Sequence, residues 1–352
     1  MKLSIFSVLV ALALAAQDAL AYSYTVGSAP GMAAGTTGGA GGREVVPTTT
    51  AELKNYLKSS EKLVILLTKA FDFRGTEGTV TENGCRPDYT RACIAKKNGY
   101  SSQDVILQSG GLANTGGCSN GQSVQVKYDK AGLAQNSLYV MSNKTLRGIG
   151  KSGEIIGKGL FVNGNNIIIQ NVYIHELNPH VYSATCDGHH YWSFYFYSPG
   201  TRASFLGNYV HTTSGRSPKI VANSGNIVMH IADNYWADNS GHAFEVGDNA
   251  FVLAESNYFD GVKASIESGG TGSIFAPTSS NTDQNYCKAY LGRKCPVNTF
   301  DNSGSIPSKN GPAAAKAAAV SPVKQYTPTG AQKRGLTSSD NSWGVNRIST
   351  LK

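Results

Sequence analysis

Short β-branched or aromatic runs recur through the middle of this chain, each beside an asparagine: Asn166-Ile167-Ile168-Ile169-Gln170-Asn171-Val172-Tyr173, Asn208-Tyr209-Val210, Asn234-Tyr235-Trp236 and Asn257-Tyr258-Phe259. Asn208 and Asn234 are 26 positions apart, and Asn234 and Asn257 are 23 apart. Self-similarity at this period, with no helical pattern between the runs, is what an all-β parallel β-helix gives: each coil stacks like residues on like. The asparagines fit an internal ladder, in which each side-chain amide pairs with that of the next coil. Ordinary turn use is the alternative, and the shared aromatic context favours the ladder. Repeating coils are expected over about residues 123–265. One interval departs, the 37 positions from Asn171 to Asn208; either a coil there carries a large loop or coils have been lost.

The surrounding sequence agrees with a strand-rich, turn-rich chain. Glycine is abundant at 40 of 352 residues and charged residues make up 15%, so long amphipathic helices are not expected to dominate. Thr48 to Leu57 reads as a capped short helix and Leu63 to Leu67 as a buried strand. Residues 72–122 read as a long irregular loop holding three cysteines. Residues 263–310 return to loop character, Ala313 to Ala319 suggests a short helix, and 266–352 forms a loop-rich tail.

Residues 1–21 have the n-region, apolar run and small-x-small end (Ala19-Leu20-Ala21) of a secretory signal, with 22–352 as one domain. A secreted, extracellular protein is expected, and no later run is long enough to span a membrane. Six cysteines in an exported chain favour disulfides and allow fifteen pairings. Cys287 and Cys295 can pair locally. Asn143-Lys144-Thr145 is a glycosylation sequon, which argues for exposure at Asn143. The net charge of +8 suits acidic polysaccharide before nucleic acid, although it also suits a simple solubility role.

Two stretches concentrate chemistry. Cys186-Asp187-Gly188-His189-His190-Tyr191-Trp192 sets a carboxylate, imidazoles and an indole together, and His211-Thr212-Thr213-Ser214-Gly215-Arg216-Ser217-Pro218-Lys219 places two cations three residues apart. Gly148-Ile149-Gly150-Lys151-Ser152 is not a phosphate loop, because Thr145 stands where the first glycine is needed, and it reads as a turn between coils. Neither His189-His190 nor Gly241-His242-Ala243-Phe244-Glu245 has zinc spacing.

The ordered blocks Ser183 to Trp192, Gly207-Asn-Tyr-Val, His211 to Lys219, Asn234-Tyr-Trp, Ser240-Gly-His-Ala-Phe-Glu245 and Val252-Leu-Ala-Glu closely resemble the fungal-type pectin lyases of the pectate lyase superfamily. Leu66-Leu67-Thr68-Lys69-x-Phe71-Asp72-Phe73, Gly157-Lys-Gly-Leu160 and Asn178-Pro179 extend the match over most of the chain. The resemblance implies a right-handed single-stranded parallel β-helix that cleaves methyl-esterified galacturonan by β-elimination, with no metal or other cofactor. It implies catalytic roles for Arg216 and Lys219 and substrate contacts from Trp192, Asp187, His189 and His211. It also implies disulfides Cys85–Cys118 and Cys93–Cys186 beside Cys287–Cys295. Pectin is the expected partner, with no nucleic acid or membrane, and a monomer is expected.

This chain departs from the family pattern after Pro179, where His180-Val181-Tyr182 replaces a long block of about two coils. A second reading is therefore a catalytically impaired β-helix that binds acidic cell-wall polysaccharide. A third, a polygalacturonase suggested by Asn281-Thr282-Asp283, lacks the paired carboxylates that hydrolysis uses, because no Asp-Asp pair occurs in the chain.

Overall fold

The structure is a computed structural model. It describes residues 29–98, 104–106, 118, 121–133, 136–177, 189, 191, 193–331 and 333. Parallel pairing of short strands dominates it and forms a β-helix whose coils lie in two stacks.

In the N-terminal stack, Arg43–Val45, Leu63–Leu67, Lys144–Gly148 and Ile167–Gln170 form one parallel sheet. Ala70–Asp72, Glu154–Ile156 and Tyr173–His175 form the second, and Leu138–Val140 with Leu160–Val162 the third. The C-terminal stack repeats this order. Arg202–Leu206, Ile227–Ala232, Ala250–Glu255 and Ser273–Phe275 supply first strands. Tyr209–Thr213 and the leading halves of Tyr235–Val246 and Tyr258–Ile266 supply second strands. Tyr195–Phe196, Lys219–Ile220 and the trailing half of Tyr235–Val246 form the third face.

The expected ladder is present, and it runs one rung further than the sequence pattern. The Asn234 Oδ1 accepts from Asn208 N and Nδ2, each at 2.9 Å. Asn257 Oδ1 accepts from Asn234 N and Nδ2 at 3.1 and 2.9 Å. Asn298 Oδ1 accepts from Asn257 at 3.0 and 2.9 Å, 41 residues on. Beside it, the rings of Trp236, Phe259 and Phe300 stack at 5.1 Å steps. Buried amides satisfied in series and aromatics stacked in register lock each coil to the next, because a one-residue slip would break both.

Each stack has its own core. Ile65, Leu67, Phe71, Leu138, Val140, Leu146 and Ile155 fill the first, and Ile220, Met229, Ile231, Trp236, Phe244, Val252 and Phe259 fill the second. Among the described residues no strand pairing joins the stacks. At the end of the first, Val162 is 51% exposed, whereas its register partner Val140 is fully buried.

Three expectations need correcting. The span 72–122 is not one irregular loop: Thr79–Arg86 pairs antiparallel with Gln122–Asp129 and with Val105–Ile106, and Asp88–Ala95 is helical. Residues 263–310 likewise contain the strand Ser273–Phe275, the helix Asn281–Leu291 and the strand Thr299–Asp301. Asn281-Thr282-Asp283 is therefore the first turn of a helix, capped by the Ser280 side chain. The sequon is not well presented either: Asn143 is partly buried, its Oδ1 accepts from Asn166 Nδ2 at 2.8 Å, and Thr145 is 1% exposed. Elsewhere the pattern holds. Thr50–Lys58 is a helix with a reciprocal cap between Thr49 and Glu52 and from Glu52 back to Thr48. Leu63–Leu67 is buried throughout, and Gly148 to Ser152 joins two strands of one coil. Ala313–Ala317 is a short helix. Cys85–Cys118 and Cys287–Cys295 are disulfides. Cys186, and with it the Cys93–Cys186 pairing, lies outside the described residues, as do residues 1–21 and the block after Pro179.

Candidate active site

Arg216 and Lys219 come together on the third face of the C-terminal stack, and a residue not singled out for the site gathers them. Glu245 is the register partner of Lys219 on the next coil. Its Oε1 lies 2.6 Å from Lys219 Nζ and its Oε2 lies 2.8 Å from Arg216 Nε. His242 Nε2 lies 3.6 Å from the same Oε2. Burial alone would raise the Glu245 carboxyl, but the His242 ring, Lys219 and Arg216 beside it override burial and hold the carboxyl well below the usual carboxylate range.

The backbone fixes this cluster. Arg216 has φ +47°, an uncommon left-handed conformation for a side-chain-bearing residue. Its carbonyl accepts from Phe194 N at 3.0 Å, and Lys219 N donates to the Phe194 carbonyl at 2.9 Å. Ser217 is fully buried, and its carbonyl accepts from Trp236 Nε1 at 2.6 Å. Gly215 has no side chain for a steric reason: a Cβ there would stand 2.4 Å from the Tyr191 ring. Tyr191 can then lie against the turn with the Arg216 guanidinium 5.2 Å from its ring centroid, and the His242 ring meets its edge at 5.7 Å. Tyr195 is half-exposed, with Lys219 Nζ 6.0 Å from its ring.

His189 and His211 belong to a neighbouring group. His189 Nε2 lies 3.2 Å from Asp238 Oδ1. His211 stacks on Tyr209 at 4.8 Å, and its Nδ1 is 3.0 Å from Thr212 Oγ1. Burial pushes the His211 imidazole down, partly offset by Asp238. Asp187 and Trp192 lie outside the described residues. Among the described residues no group of three or more histidine, cysteine, aspartate or glutamate side chains is placed to hold a metal ion.

Sequence reasoning missed Glu245, Tyr191 and His242 as site residues. The signal for Glu245 was available: Lys219 and Glu245 are 26 positions apart, the same interval as Asn208 and Asn234.

The fold and this cluster define a parallel β-helix protein with a paired-cation site on its third face. Probable pectin lyase B of Aspergillus fumigatus is 39% identical over 339 positions, covering 81% of this chain and 86% of that protein. Pectin lyase B of Emericella nidulans is 39% identical over 347, covering 83% and 87%. The chain belongs to the pectin lyase family. No family model matches it. Among solved structures, pectate lyase from Bacillus sp. N165 in complex with trigalacturonate is 18% identical with a TM-score of 0.36, covering 87% of this chain and 94% of that one. The 339 aligned positions exceed the residues that 81% of a 352-residue chain can supply, about 285, so about fifty positions have no residue in this chain.

Proposed function

We propose that this chain is a pectin lyase that cuts the α-1,4 bond of methyl-esterified galacturonan by β-elimination, leaving a 4,5-unsaturated end. The observation that carries the reading is the placement of Arg216 and Lys219 side by side on one carboxylate, in a chain of this family. An ester makes the adjacent C5 proton mildly acidic: a base takes that proton, charge passes onto the ester carbonyl, and the electron pair returns to form the C4–C5 double bond as the C4–O bond breaks and the leaving glycosidic oxygen takes up a proton. Cations fixed beforehand stabilise that charge as it develops, without reorganising at the moment of reaction. A guanidinium is a donor and a permanent cation at ordinary pH. With Nε committed to Glu245, contact with the ester falls to the terminal nitrogens of Arg216 and to the Lys219 ammonium. The esterified substrate brings no carboxylate of its own to be neutralised. His189, His211, Asp187 and Trp192 are assigned to sugar contacts. The signal-like residues 1–21 support secretion, and action as a monomer completes the reading.

The shortfall of about fifty positions favours a second reading, a β-helix that binds acidic polysaccharide with impaired turnover. Absorbance from unsaturated uronide, followed on methylated pectin with wild type beside Arg216→Ala, decides between them. Product from wild type alone supports the lyase; no release above the variant sinks the lyase reading and leaves the binding one standing.

A further inference from the structure

We propose that the N-terminal stack carries a second, non-catalytic carbohydrate site that takes a galacturonate unit with a free carboxylate; the choice of sugar rests on the pectin reading above. A pocket of about 180 Å³ is lined, among the described residues, by Lys54, Lys58, Asn136, Ser137 and Tyr139. Lys54 and Lys58 are four residues apart on the helix Thr50–Lys58 and so share one face. They supply two exposed ammonium groups. Glu77 accepts from Lys54 at 3.0 Å and also from the buried Lys158 at 2.9 Å, so the local carboxylate is already shared.

Beside the lysines stands an apolar platform. Tyr139 and Phe161 are register partners on successive coils, 37% and 49% exposed, with ring centroids 5.0 Å apart. Leu138 and Val140 on either side of Tyr139 are fully buried, so strand alternation turns Tyr139 outward. The two rings pack on each other and keep an exposed face, and a flat ring is the surface on which the C–H face of a pyranose packs. Ammonium groups on one side and rings on the other match a sugar acid, whereas a methyl ester offers the lysines only a neutral acceptor in place of a charge-assisted bond.

Both sites lie on third strands of their coils. A chain with mixed esterification could anchor its acidic stretch on Tyr139 and Lys58 while an esterified stretch meets Arg216, which raises the local substrate concentration without new contacts at the reacting bond.

The test titrates unesterified trigalacturonate into the full chain by calorimetry. Binding that depends on Lys58 and Tyr139 should persist in Arg216→Ala. Lys58→Ala, and Tyr139→Ala with Phe161→Ala, should each weaken it about tenfold or more, and added salt should weaken it in wild type. Unchanged far-ultraviolet circular dichroism and thermal midpoint show that the variants fold. Affinity lost in Arg216→Ala but untouched by the Lys58 and Tyr139/Phe161 changes would overturn the proposal, as would absence of binding to wild type. Binding with the expected dependence in a protein that releases no unsaturated product would remove the lyase reading and keep this site.

Discussion

Arg216 Nε donates to Glu245 Oε2 across 2.8 Å, and the coil that provides the acceptor is not the coil that provides the donor. Glu245 sets the geometry of both cations at the site while sitting outside the Ser-Gly-Arg turn. Replacing it with glutamine keeps the shape and removes the charge. Glu245→Gln is expected to lower kcat about 10- to 100-fold with a smaller change in KM, because misplacement of a catalytic group by about 1 Å costs on this order. The Glu245 carboxyl is depressed in the fold, so its pairing is fully present above the ordinary glutamate value of 4.5 and is lost as pH falls through its lower folded value. The stability that this pairing contributes should therefore decline with acid below pH 4.5 in wild type and not in the variant, read as urea midpoint against pH. An unaltered kcat would separate Glu245 from the site.

Arg216→Ala is expected to cut turnover on methylated pectin roughly 10²- to 10³-fold, the effect of removing one preorganised donor from developing charge. Arg216→Lys should recover only part of it, because an ammonium cannot serve Glu245 and the ester in the same fixed plane. Product absorbance under saturating substrate checks both.

Asn234 is the fully buried centre of the amide ladder, donating to the Phe205 and Ala232 carbonyls and to Asn257 Oδ1 while accepting from Asn208. Asn234→Ala should destabilise by about 3 kcal/mol, because several buried partners lose their bonds together, and Asn208→Ala at the end of the ladder by about 1 kcal/mol. Urea unfolding followed by tryptophan fluorescence tests the difference. Equal losses at the two positions would mean that the ladder is not cooperative.

Glu255 is fully buried, and Arg293 and His230 hold it at 2.8 and 2.9 Å. Burial would raise its carboxyl, and the bonds from Arg293 and His230 reverse the direction, so it is held low. Arg293→Met strands the charge and should cost about 3–5 kcal/mol at neutral pH. The contribution of the group to wild-type stability is present above 4.5 and lost as pH falls through the depressed value. Urea midpoints should therefore decline more steeply with acid in wild type than in Arg293→Met.

The C-terminal stack was legible because its coils repeat. Asn208, Asn234 and Asn257 face one another in the order their spacing implies, and Trp236 and Phe259 stack beside them. Asn298 escaped notice because the helix Asn281–Leu291 and its disulfide stretch the interval. The hairpin of Thr79–Arg86 with Gln122–Asp129 escaped because its partners are distant in sequence, although Val124, Val126 and Tyr128 alternate with polar residues as a half-buried strand does. At the site, Arg216 and Lys219 were visible as a motif, whereas Glu245 was visible only as a register partner. Gly215 carries no sign of its role in the sequence, and only the position of the Tyr191 ring gives it a steric reason.

The last rung of the ladder joins Asn257 to Asn298 across 41 residues, against 23 for the rung before it. Ser273–Phe275 stays in register with Phe251, Val252 and Leu253, and the extra length, carrying the helix Asn281–Leu291, leaves the frame without shifting the next coil. Such a corner lets a solenoid accept new sequence as a side branch, so that variation there can accumulate, or be engineered, while the amides that time the coils keep their places.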